Sequence, residues 1–156
     1  MYLHVITRQE VEELRHYETL KSGKESHAYT MSSNEKSFIV RGVYISKLDA
    51  EKDLDIMKKT DPAYRNPSHK FVNYTTAGRK IYEHQCIRYS IKGNQYNTYY
   101  VAVKDGKIIA IAPQRHKLEN PDGAEVSQVV KIGGRYYKIN EGPVYAKADE
   151  STGENE

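Results

Sequence analysis

YYVAVKDGKIIAIA, residues 99–112, is the stretch of sequence that says most about the fold. Two runs rich in β-branched and aromatic residues flank Asp105-Gly106, and this pair suits a two-residue hairpin turn because both of its central positions favour positive φ. Gly133-Gly134 is a second two-residue turn signal of this kind, between two further β-rich runs, residues 128–132 and 135–139. The two patterns predict antiparallel hairpins in the C-terminal part of the chain.

Further strands are predicted upstream of these hairpins from their β-branched and aromatic content. They cover residues 2–6, 37–45, 71–75 and 80–91, and Lys92-Gly93-Asn94 is predicted to be a turn after the last of them. Gly42 interrupts the strand at 37–45, which predicts a bulge or a close approach of another backbone.

A first helix is predicted over residues 8–21. Thr7 and Glu10 have the spacing of a capping box, in which each side chain accepts a hydrogen bond from a free N–H group at the helix start. Apolar residues then recur at roughly helical spacing from Val11 to Leu20, and Gly23 provides a left-handed stop.

A second helix is predicted to begin at a similar capping box, Ser46 to Asp49, and to end at Asp61-Pro62. Acidic residues lie in its first turns and Lys58 and Lys59 in its last, which complements the helix dipole. Between the two helices, residues 24–36 are polar and without a sustained period, so they are predicted to form an exposed loop or a poorly ordered flap. Residues 62–69 and 120–123 are predicted to be turns and loop.

These elements predict an α+β fold: two N-terminal helices packed on a mainly antiparallel twisted β-sheet with C-terminal hairpins. The length of 156 residues suits one domain, predicted over residues 1–147. Residues 148–156 hold four acids and no bases and are predicted to be a disordered acidic tail.

Charge and composition indicate a binding surface without naming a ligand. The formal net charge is +3, and it becomes +7 when the acidic tail is left out. The aromatic residues are 14 Tyr, 2 Phe and no Trp. Tyrosine combines a flat apolar ring with a polar end, so it suits half-buried strands, protein interfaces and base stacking.

Several classes of protein are not supported by the sequence. The longest uncharged apolar run, residues 108–113, is far shorter than the roughly 20 residues of a membrane helix. The N-terminal residues MYLHVITRQE lack the features of a secretory signal, so a cytoplasmic location is predicted. With Cys86 as the only cysteine and no paired histidine spacing, no metal site is predicted. No glycine loop of the P-loop or dinucleotide type is present, and no cofactor is predicted.

The first candidate site is a nucleic-acid-binding surface on the hairpins. Cations there would contact phosphates while Tyr100 or Tyr136 stacks on bases. The predicted residues are Lys104, Lys107, Arg115, Lys117, Arg135, Tyr136 and Lys138.

The second candidate site is catalytic. His4 on the first strand, Gly42-Val43-Tyr44 and the following Ser46 resemble the opening of some ADP-ribosyltransferases, over about the first third of the chain. The resemblance implies a His, a Tyr and a later Glu around nicotinamide dinucleotide. His4 and Tyr44 would take the first two roles, and Glu83, with Glu125 and Glu141 as alternatives, the third.

The function favoured by the sequence is non-catalytic binding of a macromolecule, with nucleic acid slightly ahead of protein. One alternative is an accessory or inhibitor protein, of viral or mobile-element type, that docks on a host protein or sequesters a nucleotide. The other alternative is a small ADP-ribosyltransferase-like enzyme. No prediction is made for the oligomeric state.

Overall fold

A computed structural model describes residues 1–119 and 123–146. Strands hold 59% of these residues and helices 16%, and one helix in this part of the chain has seven residues or more. The elements in chain order are β1 (Tyr2–Thr19), β2 (Glu25–Glu35), β3 (Ile39–Tyr44), α1 (Lys47–Thr60), α2 (Pro62–Arg65), β4 (Ser68–Tyr74), β5 (Lys80–Gln95), β6 (Thr98–Lys104), β7 (Lys107–Ala112), a 3-10 turn (Arg115–Lys117), β8 (Glu125–Ile132) and β9 (Arg135–Asn140). The predicted α+β fold with two N-terminal helices is therefore wrong, and the protein is mostly β.

The predicted first helix is a strand. β1 runs without interruption from Tyr2 to Thr19, across the whole of residues 8–19. Thr7 makes no capping box, because its hydroxyl is hydrogen-bonded to that of Ser90 at 2.7 Å. The apolar residues have helical spacing, but the ladder hydrogen bonds that β1 forms with neighbouring strands outweigh this local preference.

The predicted loop at 24–36 is also wrong, because most of it is β2, which pairs antiparallel with β1 from Val11↔Glu35 to Thr19↔Glu25. Its polar composition reflects exposure and not the absence of structure. A tight turn joins the two strands, in which Leu20 N–H donates to Lys24 C=O and Gly23 N–H donates to Leu20 C=O. The predicted turn at 92–94 is likewise part of β5.

The second predicted helix is confirmed as α1, and its Ser46 hydroxyl accepts a hydrogen bond from Asp49 N–H. Both glycine-containing hairpins are confirmed as well. Asp105 and Gly106 have φ of 52° and 75° between β6 and β7. The turns predicted at 62–69 contain the short helix α2, for which Asp61 is the N-cap. Residues 120–122 of the predicted loop and the tail 148–156 lie outside the described residues.

The described chain divides into two compact units. Within the described residues, unit 1 comprises 1–6, 40–55, 91–119 and 123–146, and unit 2 comprises 7–39 and 56–90, so β1, β3, β5 and α1 each contribute to both. The prediction of one domain over residues 1–147 is not tested by this division and stays a prediction.

Unit 1 is a sheet with the strand order β5-β1-β3-β9-β8-β6-β7. β3 and β9 are parallel, and β9, β8, β6 and β7 form antiparallel pairs. Its hydrophobic core is formed by Leu3, Val5, Val43, Val130 and Ile139, each buried. Gly42 leaves room for the buried ring of Tyr44, which a Cβ at that position would meet at 2.6 Å.

Unit 2 has the strand order β4-β5-β1, with β2 on β1. An ionic hydrogen-bond network joins β1, the α2 cap and β5. The Asp61 carboxylate accepts hydrogen bonds from Arg8 Nε at 2.8 Å, from the Tyr89 hydroxyl at 2.5 Å and from Ala63 N–H at 3.1 Å. The Arg8 guanidinium is the main reason that the pKa of Asp61 is lowered to about 2.

Candidate nucleic-acid interface

The structure places the predicted hairpin residues at opposite ends of β8. Lys104 and Lys107 are paired across the β6–β7 turn, next to the start of β8, where Val103 pairs with Glu125. Arg135 pairs with Ile132 at the other end of β8. The seven residue steps between Glu125 and Ile132 correspond to roughly 23 Å at the rise of a β-strand.

The same residues also lie on both faces of the sheet. Lys138 and Tyr136 pair with Val129 and Lys131, whereas Arg135 has the opposite parity on β9. Successive side chains of a strand point to opposite faces, so Arg135 lies on one face and Tyr136 and Lys138 lie on the other. Arg115 and Lys117 lie in the 3-10 turn after β7, and all seven residues are exposed. The seven therefore do not form one continuous surface.

The candidate catalytic residues do not all belong to one unit, and one of them is enclosed. Tyr44 is fully buried, and its hydroxyl donates to the Asp53 carboxylate at 2.5 Å. Burial and this carboxylate raise the pKa of Tyr44. His4 packs edge-on against Tyr2, with ring centroids 5.3 Å apart. Glu83 belongs to unit 2, whereas His4, Tyr44 and the alternatives Glu125 and Glu141 belong to unit 1. An enclosed Tyr44 has no free face on which a nicotinamide ring could stack.

A different surface emerges in unit 2, where aromatic rings of four strands contact one another. Tyr82 of β5 stacks on His69 of β4 with centroids 4.2 Å apart and planes 9° apart, and Tyr17 of β1 meets both rings edge-on. The register pairs His69 with His84 and Phe71 with Tyr82, which puts these side chains on the same face. We call this set the aromatic face: Tyr17, His27, His69, Phe71, Tyr74, Tyr82 and His84.

The outer rings of the aromatic face are open to solvent. Phe71 is 49% exposed and Tyr74 is 56% exposed, with their centroids 4.9 Å apart. His27 continues the contacts on the other side, 5.5 Å from Tyr17. Burial, with the nearby Arg15 charge, lowers the pKa of His84. The rings thus form a continuous platform across the sheet, half buried at its centre and exposed at its edge.

Cations lie at one end of this platform, in the β1–β2 turn and the β4–β5 loop. We call Lys21, Lys24, Arg79 and Lys80 the basic tip. Lys80 donates to Glu25 at 2.5 Å, which raises the pKa of the lysine and lowers that of the glutamate, and Arg79 pairs with Glu18 at 2.9 Å. Lys21 and Lys24 are exposed and form no ion pair within the described residues.

Unit 2 as a whole carries a net positive charge, in agreement with the cations of its basic tip. The unit holds 12 Lys and Arg against 8 Asp and Glu, a net charge of +4. A polyanion therefore meets a favourable potential at this unit.

The sequence predicted two strands in this region, residues 71–75 and 80–91, but it did not predict the aromatic face. The available signal was the alternation of ring residues, His69 with Phe71 on β4 and Tyr82 with His84 on β5, on either side of a Gly78-containing turn. This turn closes on a hydrogen bond from Thr75 N–H to Arg79 C=O at 2.8 Å. Tyr17 and His27 were not recognised because β1 and β2 were interpreted as helix and loop.

By fold and site, this is a mostly β protein with an exposed aromatic platform. No known protein family matches the chain, and no characterised protein or solved structure shows significant similarity to it. No helix in the described ranges is long and apolar enough to cross a bilayer.

Proposed function

We propose that this chain is a non-catalytic, cytoplasmic macromolecule-binding protein and that it binds single-stranded nucleic acid on the aromatic face of unit 2. The observation that carries the proposal is the continuous set of rings that ends in the exposed Phe71 and Tyr74. Unpaired bases stack on such rings regardless of their sequence, and each stacked base contributes roughly 1–3 kcal/mol.

The basic tip supports the same ligand. A nucleic-acid strand whose bases lie on the aromatic face has its phosphates within reach of the basic tip. There, Lys21 and Lys24 are exposed and have no acidic partner among the described residues. Duplex bases present no open ring faces, so a stacking surface favours single strands over duplexes.

The direct test is binding of fluorescent single-stranded DNA and RNA, and of the matching duplex, measured by anisotropy at two salt concentrations. Phe71→Ala and Tyr74→Ala should each weaken single-strand binding by about tenfold, because each removes a stacking ring. Tyr136→Ala is the matched control: it removes an exposed tyrosine from the hairpin surface of unit 1 and should leave the affinity unchanged.

The salt dependence of the affinity distinguishes the contribution of the basic tip from that of the aromatic rings. Replacing Lys21 and Lys24 together by alanine should make the plot of log affinity against log salt less steep by about 1.4, at about 0.7 for each lost phosphate contact. Wild-type chain that binds no oligonucleotide, or affinity that falls with Tyr136→Ala and not with Phe71→Ala, would overturn the proposal.

A second candidate is an accessory or inhibitor protein that docks on another protein through the same surface. It is favoured by the ion pairs of Arg79 with Glu18 and Lys80 with Glu25, which neutralise part of the tip. Exposed Tyr and Phe beside neutralised charges are typical of protein interfaces. Binding to a protein partner that is insensitive to salt and lost with Phe71→Ala would favour this candidate.

A further inference from the structure

The carboxylate of Glu25 lies beside the rings of the aromatic face, where two donors of β5 converge on it. Lys80 Nζ donates to this carboxylate at 2.5 Å, and the Tyr82 hydroxyl donates to its two oxygens at 3.0 and 3.3 Å. Glu25 pairs with Thr19, which has the same parity on β1 as Tyr17, so the acid lies on the same face of the sheet as the rings. An ammonium and a hydroxyl that converge on one anion form a binding site for negatively charged oxygens.

The two donors are the direct cross-strand neighbours of the exposed rings. In the ladder between β4 and β5, Lys80 pairs with Tyr74 and Tyr82 pairs with Phe71. The Cβ atoms of residues directly opposite each other are about 4.5–5.5 Å apart. A nucleotide whose base stacks on Tyr74 or Phe71 therefore has its phosphate within reach of Lys80 and the Tyr82 hydroxyl.

The contact between Glu25 and Lys80 is open to solvent, so the occupant of this site can be exchanged. The side chains of Lys80 and Glu25 are 37% and 30% exposed. An ion pair at such a surface contributes little to stability, because water solvates the separated charges well. Glu25 is the first residue of β2, and its side chain can turn into solvent while the backbone ladder stays intact.

We propose that Lys80 and Tyr82 form a phosphate subsite of the nucleic-acid interface, and that Glu25 occupies this subsite in the free protein. The inference rests on the proposed function of the aromatic face. A carboxylate and a phosphodiester each present two oxygens that share a negative charge, so both fit the same ammonium and hydroxyl. A bound strand replaces Glu25 with a phosphodiester, and Glu25 thus competes with the ligand and lowers its affinity.

The test compares Glu25→Gln with Glu35→Gln in the full chain, by the anisotropy of a fluorescent oligothymidylate. Each variant removes one negative charge from β2 and breaks one ion pair, since Glu35 pairs with Arg88 at 3.0 Å. Glu25→Gln should tighten binding about fivefold, the effect of one unit charge about 4 Å from a phosphate in water. Glu35→Gln should change the affinity less than about twofold, because ten residue steps, roughly 33 Å of strand, separate it from Glu25.

Two further measurements follow the exchange itself. Tyr82→Phe in the Glu25→Gln background keeps the ring and removes one phosphate donor, so it should weaken binding about threefold. In the free chain, the hydrogen bond from Lys80 holds the pKa of Glu25 below its usual range. This pKa should rise when the oligonucleotide binds, because a phosphate then takes the place of the carboxylate at the ammonium. An NMR titration of the Glu25 carboxyl group in the free and bound chain measures the rise.

The outcomes separate this subsite from the proposed function. Binding that is weakened by Phe71→Ala but changed equally by the two glutamine variants would overturn the subsite and leave the proposed function standing. A pKa of Glu25 that is the same in the free and bound chain would also overturn the subsite. If neither the wild type nor Glu25→Gln binds the oligonucleotide, both proposals are wrong.

Discussion

The phenol of Tyr44 donates a hydrogen bond to the carboxylate of Asp53, and both side chains are completely buried within unit 1. The same carboxylate accepts hydrogen bonds from the backbone N–H groups of Val144 at 2.8 Å and Ala146 at 2.9 Å. A single acid on α1 therefore anchors the end of β3 and the segment that follows β9.

Replacing Asp53 by alanine should lower the free energy of unfolding by about 3 kcal/mol. Three donors would lose their acceptor, two of them buried and that of Val144 part-buried. Each unsatisfied buried group costs roughly 1–3 kcal/mol before the site relaxes. Urea unfolding followed by circular dichroism measures the change. Glu51→Ala is the control, because it removes an exposed acid two residues away whose ion pair with Lys47 contributes little. Equal stability of the two variants would contradict the anchoring role of Asp53.

Replacing Tyr44 by phenylalanine should cost less, about 1 kcal/mol. The ring keeps its packing, one hydrogen bond is lost, and Asp53 retains both backbone donors. In a double-mutant cycle with Asp53→Ala, the two losses should be less than additive, because both variants break the same bond. Strict additivity would show that the short contact contributes no coupling energy.

Acid should destabilise the protein through Asp61. Its pKa is lowered to about 2 in the folded chain and lies near 4 when unfolded, so the carboxylate stabilises the fold above about pH 4. That stabilisation, about 1–2 kcal/mol, is lost as the pH falls from about 4 toward 2. The difference in unfolding free energy between wild type and Asp61→Asn should shrink over this window. A difference that stays constant from pH 5 to pH 2 would be evidence against the ionic network.

Two glycines that lie close to tyrosine rings should differ in their tolerance of alanine. A Cβ at Gly42 would meet the ring of Tyr44, which is buried and held by Asp53, so Gly42→Ala should cost about 2–3 kcal/mol. A Cβ at Gly93 would meet the Tyr2 hydroxyl at 2.5 Å, but Tyr2 is half exposed and its side chain can turn away. Gly93→Ala should therefore cost less than about 1 kcal/mol. Thermal unfolding of both variants ranks them, and the reverse order would contradict this explanation.

Local signals in the sequence were reliable where they required a particular backbone geometry. Asp105-Gly106 and Gly133-Gly134 supply the positive φ that two-residue hairpin turns need, and both hairpins are present. The second helix was predictable because its cap at Ser46, its charge order and its apolar stripe all agree with one another.

The candidate sites were less predictable, because proximity in sequence did not give proximity in space. Lys104 and Arg135 both lie beside hairpin turns, yet the two turns lie at opposite ends of β8. The rings of the aromatic face are far apart in sequence, and they meet because β5 lies between β4 and β1 in the sheet and β2 pairs with β1. Tyr44 was a predicted catalytic residue, but in the structure it is completely buried and its hydroxyl donates a hydrogen bond to Asp53.

By itself, the sequence determined the elements whose geometry is local, the hairpin turns and the capped helix α1, since their dihedral angles and hydrogen bonds depend on residues a few positions apart. Tertiary structure determined the secondary structure of residues 8–36. Their apolar spacing suits a helix and their polarity suits a loop, but long-range ladder partners make them two paired strands. It also decided the candidate site, because a surface assembled from four strands exists only once the strand order is set.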